Sequence, residues 1–78
     1  MGSTWETIKD LMEKYPGRIW TTPEIVAQLY PGCKDYEFRL KTSKIAAVLR
    51  SAEKYGLVKR CGYVKARNNT LAAAWVLA

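Results

Sequence analysis

Helix-breaking residues divide this 78-residue chain into short segments. Pro16-Gly17 and Pro31-Gly32 interrupt the first half, and Gly56 interrupts the second half. Such residues end helices because proline lacks a backbone N–H and glycine readily takes a positive φ. These residues separate the elements of the chain, and its length predicts a single domain over residues 1–78.

The first of these segments predict two helices around a brief strand. Apolar side chains recur at helical spacing over residues 4–15, which is typical of an amphipathic helix. The β-prone run 18–21 is bounded by breakers and predicts a short strand. Thr22 as the N-cap and Pro23 at the first helical position then predict a second helix that ends at Pro31.

A third helix is predicted over residues 42–55. Thr42 can cap its N-terminus, and Gly56 followed by an apolar residue is typical of a Schellman ending. The stretch 33–41 has no clear period, so it is predicted to be a connection. Three apolar side chains of this connection are expected to be partly buried: Tyr36, Phe38 and Leu40. Four residues form the inward stripe of the helix: Ile45, Val48, Leu49 and Ala52.

The pattern changes to strand after Gly56. Residues 57–65 and 71–77 are β-prone, and the intervening run 66–70 contains two asparagines, which tolerate the left-handed region, so a β-hairpin is predicted. Gly62 within the first strand predicts a β-bulge or a close backbone approach. The expected fold class is α+β, mainly α, with three helices, a short first strand and a C-terminal two-stranded hairpin.

Charge is distributed unevenly along the chain. Thirteen Lys and Arg against seven Asp and Glu give a net charge of +6. Residues 1–37 hold four basic and six acidic side chains (net −2), whereas residues 38–78 hold nine basic side chains and only Glu53 as an acid (net +8). This asymmetry predicts one basic face and a polyanionic partner, and the alternative is a merely solvated surface.

The predicted third helix places polar and basic residues opposite its apolar stripe. Arginine and lysine reach phosphates or the guanine edge, serine bonds phosphate oxygens, and alanine lets a helix approach base edges closely. A basic hairpin suits a phosphate backbone or a minor groove, although lysines on an edge strand also block aggregation. The predicted nucleic-acid-binding residues are Arg39, Lys41, Thr42, Ser43, Lys44, Ala47, Arg50, Ser51, Lys54, Lys59, Arg60, Lys65, Arg67, Asn68 and Asn69.

Composition argues against other functions. Histidine, the commonest general base and metal ligand, is absent, so no enzyme, metal site or cofactor is expected. Cys33 and Cys61 cannot close a four-ligand zinc site, and they predict reduced thiols in an intracellular protein, cytoplasmic or nucleoid-associated. No apolar run approaches the about 20 residues of a membrane span, so no membrane partner is expected.

The run from Thr42 to Arg60 resembles the recognition helix and the start of the wing in winged helix-turn-helix regulators. Thr21 to Val26 resembles the start of their second helix, and the resemblance covers nearly the whole chain. It implies a small DNA-binding transcriptional regulator, with helix 42–55 in the major groove and the wing 57–77 on the adjacent backbone or minor groove. Double-stranded DNA is then the expected partner, and a homodimer is an open alternative to a monomer.

Two other functions fit the same fold. A protein-interaction module would expose an apolar patch, either in the loop or on the last strand. A binder of RNA or single strands would expose aromatic side chains beside the basic face. Trp5 and Trp75 are expected in the core, and the place of Trp20 is left open. The candidates for such surfaces are Tyr30, Tyr36, Phe38, Tyr63, Ala72, Ala74 and Val76.

Overall fold

The computed structural model of the chain describes residues 3–65 and 71–78. They form three helices and one antiparallel sheet of three strands, so the α+β class is confirmed. The predicted order of helices and strands along the chain is confirmed as well. The elements are α1 (Ser3–Lys14), β1 (Trp20–Thr21), α2 (Thr22–Leu29), α3 (Asp35–Lys54), β2 (Val58–Lys65) and β3 (Leu71–Leu77).

Strand β3 lies in the middle of the sheet, between β1 and β2. The short strand β1 pairs with it so that Trp20 lies directly opposite Trp75. Strands β2 and β3 form the predicted hairpin, and their register shifts between Arg60 and Tyr63. Gly62 lies within this shift at a φ of +93°, so the predicted β-bulge is confirmed.

All three helices and the sheet contribute side chains to one hydrophobic core. Trp5 and Trp75 are buried, as predicted, and Trp20 is also fully buried. Three tryptophans bury a large apolar area, which a chain of this size needs because short chains bury a smaller fraction of their surface. No helix in the described part of the chain is both long enough and apolar enough to cross a membrane.

Helix α2 is capped by Thr21, so the prediction that Thr22 caps it is wrong. The Thr21 hydroxyl oxygen accepts from the Glu24 backbone N–H at 3.3 Å, and the Glu24 carboxylate accepts from the Thr21 N–H at 3.1 Å. This capping box requires an acid three residues after the cap, a spacing that Thr21 has and Thr22 does not. Thr22 is instead buried, and its hydroxyl oxygen accepts a hydrogen bond from Nε1 of Trp75 at 3.0 Å.

Helix α3 begins at Asp35, seven residues earlier than predicted, so the stretch 33–41 is mostly helix and not a connection. Asp35 and Glu37 lie in its first turn, where negative charge favours a helix. Thr42 lies inside the helix, and its hydroxyl donates to the Phe38 carbonyl at 2.7 Å instead of capping the N-terminus. Only residues 30–34 separate α2 from α3.

The three apolar side chains in the first part of α3 do not all point toward the core. Phe38 packs partly buried against the core, as predicted. The predicted partial burial of Tyr36 and Leu40 is wrong, because they are 65% and 66% exposed. Because Tyr36 and Leu40 point outward while Phe38 points inward, the three apolar residues do not share one helix face. Periodicity analysis therefore does not detect a helix in this segment.

The C-terminus of α3 has the predicted Schellman geometry. The Gly56 N–H donates to the Glu53 carbonyl at 3.0 Å, and the Leu57 N–H donates to the Ala52 carbonyl at 2.9 Å. Gly56 has a φ of +74°, which disfavours other residues. The motif turns the chain directly from α3 into β2 and thereby fixes the start of the hairpin.

Replacing Thr22 with valine is expected to lower the free energy of unfolding by about 1–3 kcal/mol, because the buried Trp75 indole N–H loses its acceptor. Thr22→Ser keeps the hydroxyl and is expected to lose only the burial of one methyl group, about 1 kcal/mol. Urea denaturation followed by tryptophan fluorescence measures both. A valine variant as stable as the parent would show that the hydrogen bond does not stabilise the fold.

Glu24 is expected to make the fold sensitive to acid. Burial by itself raises the pKa of Glu24, but hydrogen bonds from Thr21 and the guanidinium of Arg18 outweigh it, so the pKa lies below its ordinary 4.5. A carboxylate with a lowered pKa in the folded state stabilises the fold above its unfolded-state pKa, and this stability is lost as the pH falls through the folded-state value. Denaturation at a series of pH values is expected to show that, below pH 4.5, the free energy of unfolding decreases less in Glu24→Gln than in the parent. Equal decreases in the two proteins would contradict this role of Glu24.

Candidate nucleic-acid interface

Helix α3 exposes a continuous stripe on the side opposite the core. Ile45, Leu49 and Ala52 are buried, and the residues half a turn away from them are exposed. Six exposed residues recur at spacings of three and four and are called the outer face here: Tyr36, Leu40, Ser43, Ala47, Arg50 and Lys54. The predicted outward orientation of the last four is confirmed.

The outer face has two chemically different halves. Its N-terminal half presents Tyr36 and Leu40 next to the acidic first turn of the helix. Its C-terminal half presents Arg50 and Lys54. The exposed side chains of Arg39, Lys44 and Ser51 lie beside this stripe, so α3 groups these three predicted site residues with the outer face.

Two predicted site residues lie on a different side of α3. Lys41 is half-buried, and its ammonium lies 4.7 Å from the centre of the Tyr30 ring at the end of α2. Thr42 is also half-buried, and its hydroxyl donates to the Phe38 carbonyl. Lys41 therefore belongs to the packing against the end of α2, whereas Thr42 lines a cleft between α3 and the hairpin, so neither side chain is part of the outer face.

Arg60 connects the hairpin to α3. Its guanidinium donates to the Glu53 carboxylate at 3.2 Å and to the Tyr63 hydroxyl at 2.8 Å, and it lies 5.0 Å from the centre of the Trp75 ring. These contacts occupy the guanidinium within the protein and fix the position of β2 relative to α3. Arg60 therefore supports the basic surface, and its direct binding to nucleic acid stays a prediction.

The hairpin offers two further lysines. Lys59 and Lys65 are exposed on β2, which is an edge strand of the sheet. Exposed lysines and a β-bulge are also the features that keep an edge strand from pairing with other chains. The remaining predicted site residues of the hairpin, Arg67, Asn68 and Asn69, lie outside the described residues.

A cleft of about 370 Å³ separates α3 from the hairpin. The start of α2 closes one end of this helix–hairpin cleft, and Thr42, Ala46 and Arg50 line its α3 side. Arg60, Tyr63 and Trp75 line the opposite side. The cleft was not predicted, because its walls come from elements whose relative position depends on tertiary packing.

Titratable groups offer little other chemistry. Cys33 and Cys61 are both free thiols. The described residues hold no group of three or more His, Cys, Asp or Glu side chains arranged for a metal ion.

Comparison with family models, curated proteins and solved structures finds no match to this chain.

The ion pair of Arg60 with Glu53 is expected to stabilise the fold weakly. The two side chains are 31% and 37% exposed, and partly solvated pairs of this kind couple by about 0.2–1 kcal/mol. A double-mutant cycle with Arg60→Ala and Glu53→Ala, measured by urea denaturation, is expected to give this coupling energy and a smaller one in high salt.

The pair of Lys9 with Glu13 is the control for this cycle. Its N–O distance is longer, 3.9 Å, and both side chains are more than half exposed, so its coupling should be smaller. A coupling of Arg60 with Glu53 that does not change with salt would contradict a solvated pair.

Proposed function

We propose that the chain is a winged helix-turn-helix domain that binds double-stranded DNA, as a small transcriptional regulator does. The order of its elements and the short connection 30–34 between α2 and α3 support this proposal. In the proposed complex, α3 lies in the major groove, and the hairpin lies as a wing against the adjacent backbone or minor groove.

One observation carries the proposal. Ser43, Ala47, Arg50 and Lys54 share one exposed face of a long helix, in the part of the chain that has a net charge of +8. An α-helix with its side chains is about 10–12 Å across, which matches the major groove of about 12 Å. A helix of this composition can therefore approach base edges along its middle and C-terminal turns.

Each residue has a physical role in this arrangement. Arg50 can donate two hydrogen bonds to the O6 and N7 atoms of guanine, and Ala47 can contact a thymine methyl group. Ser43 can donate to phosphate oxygens, and Lys54 can neutralise a phosphate charge. Five neighbours supply further basic or polar contacts: Arg39, Lys44, Ser51, Lys59 and Lys65.

The acidic first turn of α3 affects how the helix would dock. Asp35 and Glu37 would be repelled by phosphates, so the N-terminal turn has to lie away from the backbone. Many helix-turn-helix proteins read bases with the N-terminal residues of this helix. Here the contacts would be made by residues 43–54.

A protein-interaction module is the second candidate, and one observation favours it. Tyr36 and Leu40 are one turn apart on the outer face and are both about two-thirds exposed. The patch considered on the last strand has less support, because Ala72 and Ala74 are buried. In this candidate function, a protein partner binds α3 near its N-terminus.

Binding to duplex DNA is expected to depend steeply on salt. If about six phosphates are neutralised, the logarithm of the association constant should fall with the logarithm of salt concentration at a slope near −5. Fluorescence anisotropy with a labelled random duplex measures this slope. Arg50→Ala is expected to weaken binding about tenfold, and Lys54→Ala is expected to reduce the slope by about one.

The matched control is Lys9→Ala, which removes a lysine from α1 that pairs with Glu13. It should change neither the affinity nor the slope by a comparable amount. If no duplex binds even at low salt, the proposal is wrong, and the protein-interaction candidate takes its place.

A further inference from the structure

The helix–hairpin cleft presents an exposed aromatic ring beside the basic surface. Tyr63 lies on β2, lines the cleft and is 58% exposed. Its hydroxyl accepts a hydrogen bond from Arg60 at 2.8 Å, so the ring is tied to a guanidinium that Glu53 also holds. The ring is therefore positioned in advance, and its exposed surface is available to a ligand.

The charge of the cleft points to an anion. Glu53 compensates Arg60, whereas Arg50 lines the opposite wall and forms no ion pair with the residues that the structure describes. An uncompensated guanidinium at the edge of a cleft favours a phosphate or carboxylate. Ala46 and Ala73 contribute small side chains to the lining, and Leu71 contributes an apolar one.

The size of the cleft limits what it can hold. A volume of about 370 Å³ lies within the range of pockets for small ligands, and one nucleotide is a ligand of that size. A nucleotide can contact both the Tyr63 ring and the Arg50 guanidinium of the lining, because its base can stack on an aromatic ring and its phosphate can pair with arginine. The net charge of +8 in this part of the chain favours a nucleic acid over a protein segment as the source.

We infer that the helix–hairpin cleft binds one unpaired nucleotide, with the base against Tyr63 and a phosphate at Arg50. When the cleft is occupied, Arg50 makes this phosphate contact in place of the guanine contact proposed above. This inference rests on the proposed DNA binding and makes it more specific: the preferred ligand is a duplex with an unpaired end or junction. An unpaired nucleotide enters the cleft most readily because no base pair has to be broken.

Anisotropy titrations with a blunt duplex and with the same duplex carrying a one-nucleotide overhang, 5′ or 3′, test this inference. One of the overhangs is expected to bind about tenfold more tightly, as the stacking of one base on an aromatic side chain allows. Tyr63→Leu should abolish this difference, so that the ratio of the two affinities, measured with the same variant, falls to about one. Tyr63→Phe keeps the ring and should keep the difference.

Two controls accompany this test, one for misfolding of the variants and one for the loss of an exposed ring elsewhere on the surface. Circular dichroism and thermal unfolding show whether each variant folds as the parent does. Tyr55→Leu removes an exposed ring at the end of α3 that does not line the cleft, and it should keep the preference for the overhang.

The outcomes distinguish this inference from the proposal on which it rests. If the parent protein binds blunt and overhanging duplexes equally well, the inference is overturned while DNA binding stands, and a protein segment becomes the better candidate for the cleft. A preference that survives in Tyr63→Leu also overturns it. If no duplex binds at all, the proposed function itself is overturned.

Discussion

The pairing of Trp20 with Trp75 across strands β1 and β3 holds the two halves of the chain together. Both rings are buried, and a guanidinium packs on each: Arg18 lies 3.9 Å from the centre of the Trp20 ring, and Arg60 lies 5.0 Å from that of Trp75. The Trp75 indole also donates to Thr22 at the start of α2. The acidic half and the basic half therefore meet at this pair of strands and in the hydrophobic core beside it, to which all three helices contribute.

The sequence allowed the order of the elements to be predicted, because breakers and capping residues act locally. The Schellman ending at Gly56 and the bulge at Gly62 need only their own neighbours, and both predictions were right. The start of α3 was missed because Tyr36 and Leu40 point outward, whereas periodicity analysis assumes that apolar residues point inward. Acids at positions 35 and 37, directly after a Pro-Gly break, are the signal that could have located it.

Part of the candidate site could likewise be predicted from the sequence, and part could not. Helical periodicity alone places residues 43–54 of α3 on the correct faces, because that part of the helix has a regular apolar stripe. The roles of Lys41 and Arg60 could not be predicted, since their partners Tyr30 and Glu53 approach them only in the folded chain. The helix–hairpin cleft has the same origin, because four separate elements, α2, α3, β2 and β3, form it.

The bulge at Gly62 decides which side of the sheet the end of the hairpin presents. Arg60 lies opposite Trp75 and Tyr63 lies opposite Ala73, so both face the same side although they are three residues apart. In a regular strand, residues at that separation would point to opposite sides. Deleting one residue at the bulge would therefore turn Tyr63 and Lys65 away from α3 while leaving the composition almost unchanged. The shape of the cleft depends on the number of residues between Arg60 and Tyr63 as much as on which residues they are. Insertions and deletions at this point would therefore change the cleft more than substitutions would.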